Sequence, residues 1–208
     1  VSCAPRSVTL QQAINMTRRR TGMSAMAAAF GDDVAVVDVG IAADVPGVGI
    51  LDRKVRQGTG NIAVEDAMTR PEALAAMAAG MEQAARARAD SITALGIGEM
   101  GIGNTSTSAA VLSVLTGADI EAVTGRGGGL TDEGFTRKKD VLRRALTRRA
   151  VDKDDVLDVL CAVGGLDIAA MAGAFLGCAR ERIPAAVDGF ISVVAALCAV
   201  TLCPEVQD

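Results

Sequence analysis

Glu99 is the first residue in this chain that could do chemistry, because of the company it keeps. It stands in Gly96-Ile97-Gly98-Glu99-Met100-Gly101-Ile102-Gly103-Asn104-Thr105-Ser106-Thr107-Ser108, a run of glycines and hydroxyl residues around one carboxylate. Upstream, apolar and β-branched Ile92 to Ile97 predicts a buried strand. Downstream, Ala109 to Leu115 predicts a helix stopped by Gly117 and begun at Asn104 or Thr105. A glycine turn lets a ligand approach main-chain amides, and a helix N-terminus offers unpaired N–H groups and a positive dipole end. The stretch from Gly98 through Gly101 and Gly103 to Asn104 and Thr105 is therefore a candidate phosphate seat. Glu99 would repel that phosphate, so its own partner must be a hydroxyl or a nitrogen base. The same glycines could equally serve packing alone. The run is neither a P-loop, which needs Gly-Lys-Ser/Thr, nor a clean dinucleotide fingerprint.

A second cluster, Gly125-Arg126-Gly127-Gly128-Gly129, also precedes a helix, capped by Thr131 with Asp132 and Glu133 in its first turn. Lys138 follows and could reach an anion or simply face solvent. These two loops must be carried by something rigid. Val34 to Gly40 and Ile183 to Val187 predict two more buried strands, and helices are expected at Ser7–Arg20, Met23–Phe30, Pro71–Arg88, Asp154–Val163, Leu166–Arg180 and Phe190–Leu202. Ile41 to Met68 reads as irregular. Ala169, Gly173 and Gly177 make a small-residue stripe suited to close helix packing. The alternation predicts an α/β fold with a mainly parallel sheet. Asp38, Glu99 and Asp188 then fall near the carboxyl ends of strands, the edge where such sheets bind ligands. For Asp38 a structural bond to a neighbouring loop is the simpler reading.

Composition narrows the chemistry. The 208 residues contain no histidine, which removes Ser-His-Asp triads, Cys-His nucleophiles and His-ligated zinc. Acid–base work must fall to carboxylates, lysine or cysteine. A net charge of −4, with no Trp or Tyr and four Phe, argues against nucleic acid as a partner. No apolar run is long enough to span a bilayer. Five cysteines without a C-x-x-C spacing read as reduced, buried thiols of a cytosolic protein. The arginine groups at 18–20 and at 143, 144, 148 and 149 read as solvated helix faces.

Several motifs in one order carry a resemblance across nearly the whole chain: G-E-M-G-I-G-N-T at 98–105, V-T-G-R-G-x-G-L at 123–130 followed by two lysines, A-V-G-G-x-x-I-A-x-M-A-G at 162–173 and D-G-F-I-S at 188–192, with V-V-D-V-G-x-A-A-D at 36–44 and K-V-R-x-G-T-x-N at 54–61. They resemble the nicotinate-nucleotide–dimethylbenzimidazole phosphoribosyltransferase family. The resemblance implies a Rossmann-like parallel sheet flanked by helices, with part of a small helical domain. It divides the chain into residues 1–30, a helical segment near the acceptor site, and residues 31–208, a phosphoribosyltransferase core that is incomplete at its C-terminal end. The implied reaction moves phosphoribose from nicotinate mononucleotide to 5,6-dimethylbenzimidazole in cobalamin biosynthesis, giving α-ribazole 5′-phosphate and nicotinate, with no cofactor or metal, in a cytoplasmic homodimer without nucleic-acid or membrane partners. Glu99 matches the family's active-site glutamate. Gly101 and Gly103 match the ribose-phosphate loop, with Gly98, Asn104 and Thr105 beside them, and Gly125, Gly127 and Lys138 match the second phosphate-side element. Ser2 and Gln11 resemble residues near the benzimidazole.

The chain lacks the family's G-E-G-T-G-A motif, which carries its general base, and its D-H-G segment. It is therefore expected to be the central part of the enzyme, with Glu99 the remaining carboxylate and weak turnover. A non-catalytic nucleotide- or benzimidazole-binding relative, or an inactive fragment, is the alternative. An incomplete sheet would leave an open edge and invite aggregation.

Overall fold

A computed structural model describes residues 1–47 and 49–207. Its frame is helical. Helix α1 (Ser7–Thr17) and helix α2 (Gly22–Phe30) open the chain, joined through exposed Arg18, Arg19 and Arg20, with Arg19 at φ 56°. Strand β1 (Val36–Asp38) pairs in parallel with strand β2 (Ile50–Asp52), Val36 opposite Ile50 and Asp38 opposite Asp52. Helix α3 (Arg70–Ala89) leads to strand β3 (Leu95–Ile97), then helices α4 (Asn104–Thr116), α5 (Ile120–Val123), α6 (Asp132–Thr147), α7 (Val156–Val163) and α8 (Leu166–Glu181). Strand β4 (Ala185–Val187) returns beside β3, parallel, with Leu95 opposite Ala185, and helix α9 (Phe190–Leu202) follows.

The all-parallel pairing and the helices between strands bear out the α/β reading. The strands are shorter than the apolar runs that encode them, three residues each, and the described ones form two separate pairs rather than one sheet. Strand β2 lies inside the stretch expected to be irregular. It follows Pro46 and Gly47, and of its three residues only Ile50 and Leu51 are apolar before the charged residues 52–54 begin, too short a signal to read.

Local chemistry sets the helix starts. Thr69 and Glu72 close a reciprocal cap on α3: the Glu72 N–H donates to Thr69 Oγ1, and the Thr69 N–H donates to Glu72 Oε2 at 2.8 Å. Pro71 sits in the first turn, and Arg86 and Arg88 stand at the negative C-terminal end. Glycines then let α3 and α8 cross backbone to backbone. A Cβ on Gly80 would overlap the Ala170 carbonyl oxygen, and one on Gly173 would overlap the Met77 carbonyl. The small-residue stripe of α8 thus does what its spacing predicts. Around this crossing, side chains of α3, α4, α7, α8 and α9 build one core, which includes Met77, Val111, Leu160, Ile168, Phe175 and Val194.

Several polar residues have structural duties. Buried Asp38 accepts the N–H groups of Gly40 and Ile41 at 3.0 and 2.8 Å and pairs with Lys54 Nζ at 3.1 Å. Lys54 Nζ also donates to the carbonyls of Ile41 and Ala43, so the simpler reading of Asp38 holds. Arg148 and Arg149 are not a bare solvated face. Both bond Asp66, and Arg149 also forks onto Asp158 at 2.8 and 3.0 Å, which clasps the end of α6 to the loop before α3. Cys161, Cys178 and Cys198 are buried thiols as expected, whereas Cys3 is exposed and Cys203 half-exposed. No described helix is long and apolar enough to cross a membrane.

Candidate functional site

The site is built where β3 runs out. After Ile97 the chain turns through Gly98–Gly103 and enters α4, with Gly103 at φ +100°, a backbone state that glycine adopts without strain. A Cβ on Gly98 would stand 3.0 Å from Asp188 Oδ2, so the turn passes close against the residue that follows β4. Buried Ser192 fixes this pairing. Its hydroxyl donates to the Ile97 carbonyl at 2.6 Å and accepts the Asp188 N–H at 3.3 Å.

The second glycine loop lies against the first. Lys138, on α6, is 1 % exposed, and its Nζ donates to Thr105 Oγ1 at 2.8 Å and to the Gly125 carbonyl at 2.9 Å. Gly127, at φ +59°, is so near that a Cβ there would stand 2.9 Å from Thr105 Oγ1. The lysine is no solvated helix residue: it joins the two loops. Burial pushes its ammonium below the ordinary lysine range. An ammonium has three hydrogens, and protein oxygens take two here, with no carboxylate in salt-bridge range among the described residues. One donor is left for an anion at the α4 N-terminus, where the Asn104 N–H already donates to the Gly101 carbonyl and the Ser106 N–H to the Gly103 carbonyl.

Glu99 is half-buried at the other side of the same turn. The Asn104 side-chain amide donates to its carboxylate, and so does the Gly101 backbone N–H. Burial, and then the charges of Asp167 and Asp188, outweigh these bonds and push the carboxyl up to about 6. Asp167, in the first turn of α8, takes the Asn104 amide as well, at 2.7 Å, and burial raises its own carboxyl. Neighbouring residues of one helix turn therefore serve opposite poles: Asn104 faces carboxylates, Thr105 faces an ammonium. Among the described residues, no three acidic or sulfur side chains are grouped to hold a metal ion.

Gly98, Glu99, Gly101, Gly103, Asn104, Thr105, Gly125, Gly127 and Lys138 thus come together. The N-terminal segment reaches them by other residues than those expected. Thr9 Oγ1 accepts the Ile102 N–H at 3.1 Å, and Cys3 Sγ lies beside Gly128. Ser2 and Gln11 are exposed; the Ser2 hydroxyl accepts the Ala4 N–H, and neither side chain bonds the loops among the described contacts. Asp167 escapes the reading of the sequence, and Ser192 enters it only as the last residue of the D-G-F-I-S motif, with no role assigned. Asp167 looks like an ordinary first-turn acid, and its partner Asn104 is 63 positions away.

A family model described as "Phosphoribosyltransferase" matches residues 1–208. The nicotinate-nucleotide–dimethylbenzimidazole phosphoribosyltransferase of Geobacter metallireducens is 44% identical over 209 residues, covering 100% of this chain and 59% of the relative. That of Clostridium perfringens is 45% identical over 208 residues, covering 100% of this chain and 58% of the relative. The crystal structure of CobT from Thermus thermophilus superposes with a TM-score of 0.94 at 40% identity, covering 100% of this chain and 62% of that one. The chain spans about three fifths of the length of these relatives. With a match over its full length in sequence and in structure, the chain belongs to the nicotinate-nucleotide–dimethylbenzimidazole phosphoribosyltransferase family.

Proposed function

We propose that this chain carries the phosphoribosyl-transfer centre of such an enzyme, taking phosphoribose from nicotinate mononucleotide to 5,6-dimethylbenzimidazole and releasing nicotinate and α-ribazole 5′-phosphate. The relatives bear that activity in their names. The observation that carries the reading is the two-poled site: a spare lysine donor at the start of α4 on one side of Asn104–Thr105, and a half-buried carboxylate pushed up to about 6 on the other. A sugar phosphate whose far end becomes cationic fits that polarity.

In this reading the phosphate lies on the Gly98–Thr105 turn and the Gly125–Gly127 loop, where Lys138 donates its third hydrogen. The reacting C1′ lies toward Glu99. An acceptor nitrogen bonds C1′ as the bond to nicotinate breaks, and the leaving pyridinium keeps the electron pair and becomes neutral. The acceptor's remaining N–H loses its proton to a carboxylate, and Glu99 is the residue in place to take it. The Glu99 carboxylate also favours positive charge developing at the sugar. Residues 1–30, with Ser2 and Gln11, form the segment beside the acceptor, and residues 31–208 form the transfer core. The protein works in the cytoplasm as a homodimer.

Titration calorimetry with nicotinate mononucleotide tests the donor half. The chain is expected to bind it, and Lys138→Met to weaken binding about 10- to 100-fold, since a hydrogen bond to a charged group contributes about 1.5–3 kcal/mol. Binding that is equally tight in the variant would remove the phosphate from this place.

A further inference from the structure

One element of the site has no part in the proposed transfer chemistry. Asp167 sits at the start of α8, on the far side of Asn104 from Glu99. The Asn104 amide has two hydrogens and spends one on each carboxylate: one goes to Glu99 Oε2, the other to Asp167 Oδ2 at 2.7 Å. Turned over, the amide would aim its oxygen at two carboxylate oxygens, so Asp167 leaves the Asn104 side chain one favourable orientation. The other Asp167 oxygen, Oδ1, accepts the Ile168 N–H at 3.0 Å and is held in turn. Two glycines pack closely against the bridge. A Cβ on Gly101 would stand 2.8 Å from both Asn104 Nδ2 and Asp167 Oδ2, and a Cβ on Gly165 would overlap Asp167 Oδ1. Two glycines of the sequence motifs thus border this bridge as well as forming turns.

We propose that Asp167 is a positioning residue for the transfer reaction, locking the Asn104 amide so that it presents one hydrogen to Glu99 and holds that carboxylate at the mouth of the two glycine loops. The inference rests on the proposed role of Glu99, but its geometry does not depend on the substrate. The charged groups that face Glu99 are Asp167, from α8, and Asp188, from the end of β4. Asp188 acts through space and has no bond to Asn104. Only Asp167 couples through the amide, so removing either one has a different signature.

Nuclear magnetic resonance on the 208-residue chain reads both effects without a ligand. Two probes are followed: the Asn104 side-chain amide protons and the Glu99 carboxyl carbon during a pH titration. In Asp167→Ala, one Asn104 proton is expected to exchange about tenfold faster, as for the loss of a hydrogen bond to a charged group. The Glu99 midpoint is expected to move from about 6 toward its ordinary 4.5. In Asp188→Asn only the midpoint moves, and the amide protons stay as they are. Asp167→Asn keeps an oxygen for the Ile168 N–H, and therefore the start of α8, and it gives the same test should the alanine variant not fold. An unchanged Asn104 amide and an unchanged Glu99 midpoint in a folded Asp167 variant would overturn the proposal. If nicotinate mononucleotide fails to bind while these signals move as expected, the proposed chemistry fails and the positioning role stands.

Discussion

Glu99→Gln is expected to lower phosphoribosyl transfer by about a hundred- to ten-thousand-fold, the range that a positioned general base contributes. Nicotinate mononucleotide should still bind, because the Lys138–Thr105 side of the site is untouched. The wild-type rate should rise with pH through about 6, where the Glu99 carboxyl loses its proton, and level off above. The glutamine variant should show no such limb. Stability should move the other way. The folded value lies above the ordinary 4.5, so the folded state holds the proton more tightly than the unfolded chain does. That contribution is fully present below about 4.5 and is lost as pH rises through about 6. At pH 8 the ionised, half-buried carboxylate is therefore a cost that glutamine removes, worth at most about 2 kcal/mol at about 1.4 kcal/mol per pKa unit. Chemical denaturation at pH 8 and at pH 5 checks the sign: the variant gains at the higher pH and little at the lower. A variant that loses neither rate nor pH limb would take Glu99 out of the mechanism.

The second large effect is expected far from the chemistry. Gly173→Ala should destabilise the chain by about 3 kcal/mol or more, the upper range for overfilling a packed interior. Two effects compete at this position. Alanine is the better helix former, by about 1 kcal/mol in a helix interior. Against that, the new Cβ would overlap the Met77 carbonyl, and a rigid backbone cannot step aside as a side chain can. The clash wins, and α3 and α8 must part along a seam where Gly80 is packed just as tightly and Gly177 also lies close. For a chain of this size about 3 kcal/mol corresponds to a fall of roughly 6–12 °C in Tm. Gly22→Ala is the control, since a Cβ there meets nothing within 4 Å, and its change should stay within about 0.5 kcal/mol. Thermal unfolding of the two variants side by side decides the matter.

These two residues also mark how far the chain can be read from its sequence. The stripe of Ala169, Gly173 and Gly177 announces close packing because helical spacing is local, and the glycine turn before α4 announces a ligand seat for the same reason. Lys138 is ambiguous until the fold buries it against Thr105, 33 positions earlier. Asp167 is silent. An acid in a first turn has an adequate local explanation in the helix dipole, and nothing nearby hints at an amide 63 positions back. Strand β2 fails for the opposite reason, since two apolar residues between a glycine and a run of charges carry no period to detect. Arg148 and Arg149 look solvated because their partners, Asp66 and Asp158, are brought to them only by the folded chain.

The three-residue ladders have a consequence for motion. Each strand pair offers only a few backbone bonds, and all three residues of β4 are exposed. The long helices α3 and α8 are sealed along their crossing. Amides in the middle of those helices should therefore exchange with heavy water only when the whole molecule opens, whereas those of β3, β4 and the turns beyond them should exchange through small local openings. The scaffold and the reactive rim keep separate clocks, and the rim can flex around a passing ligand while the frame beneath it stays shut.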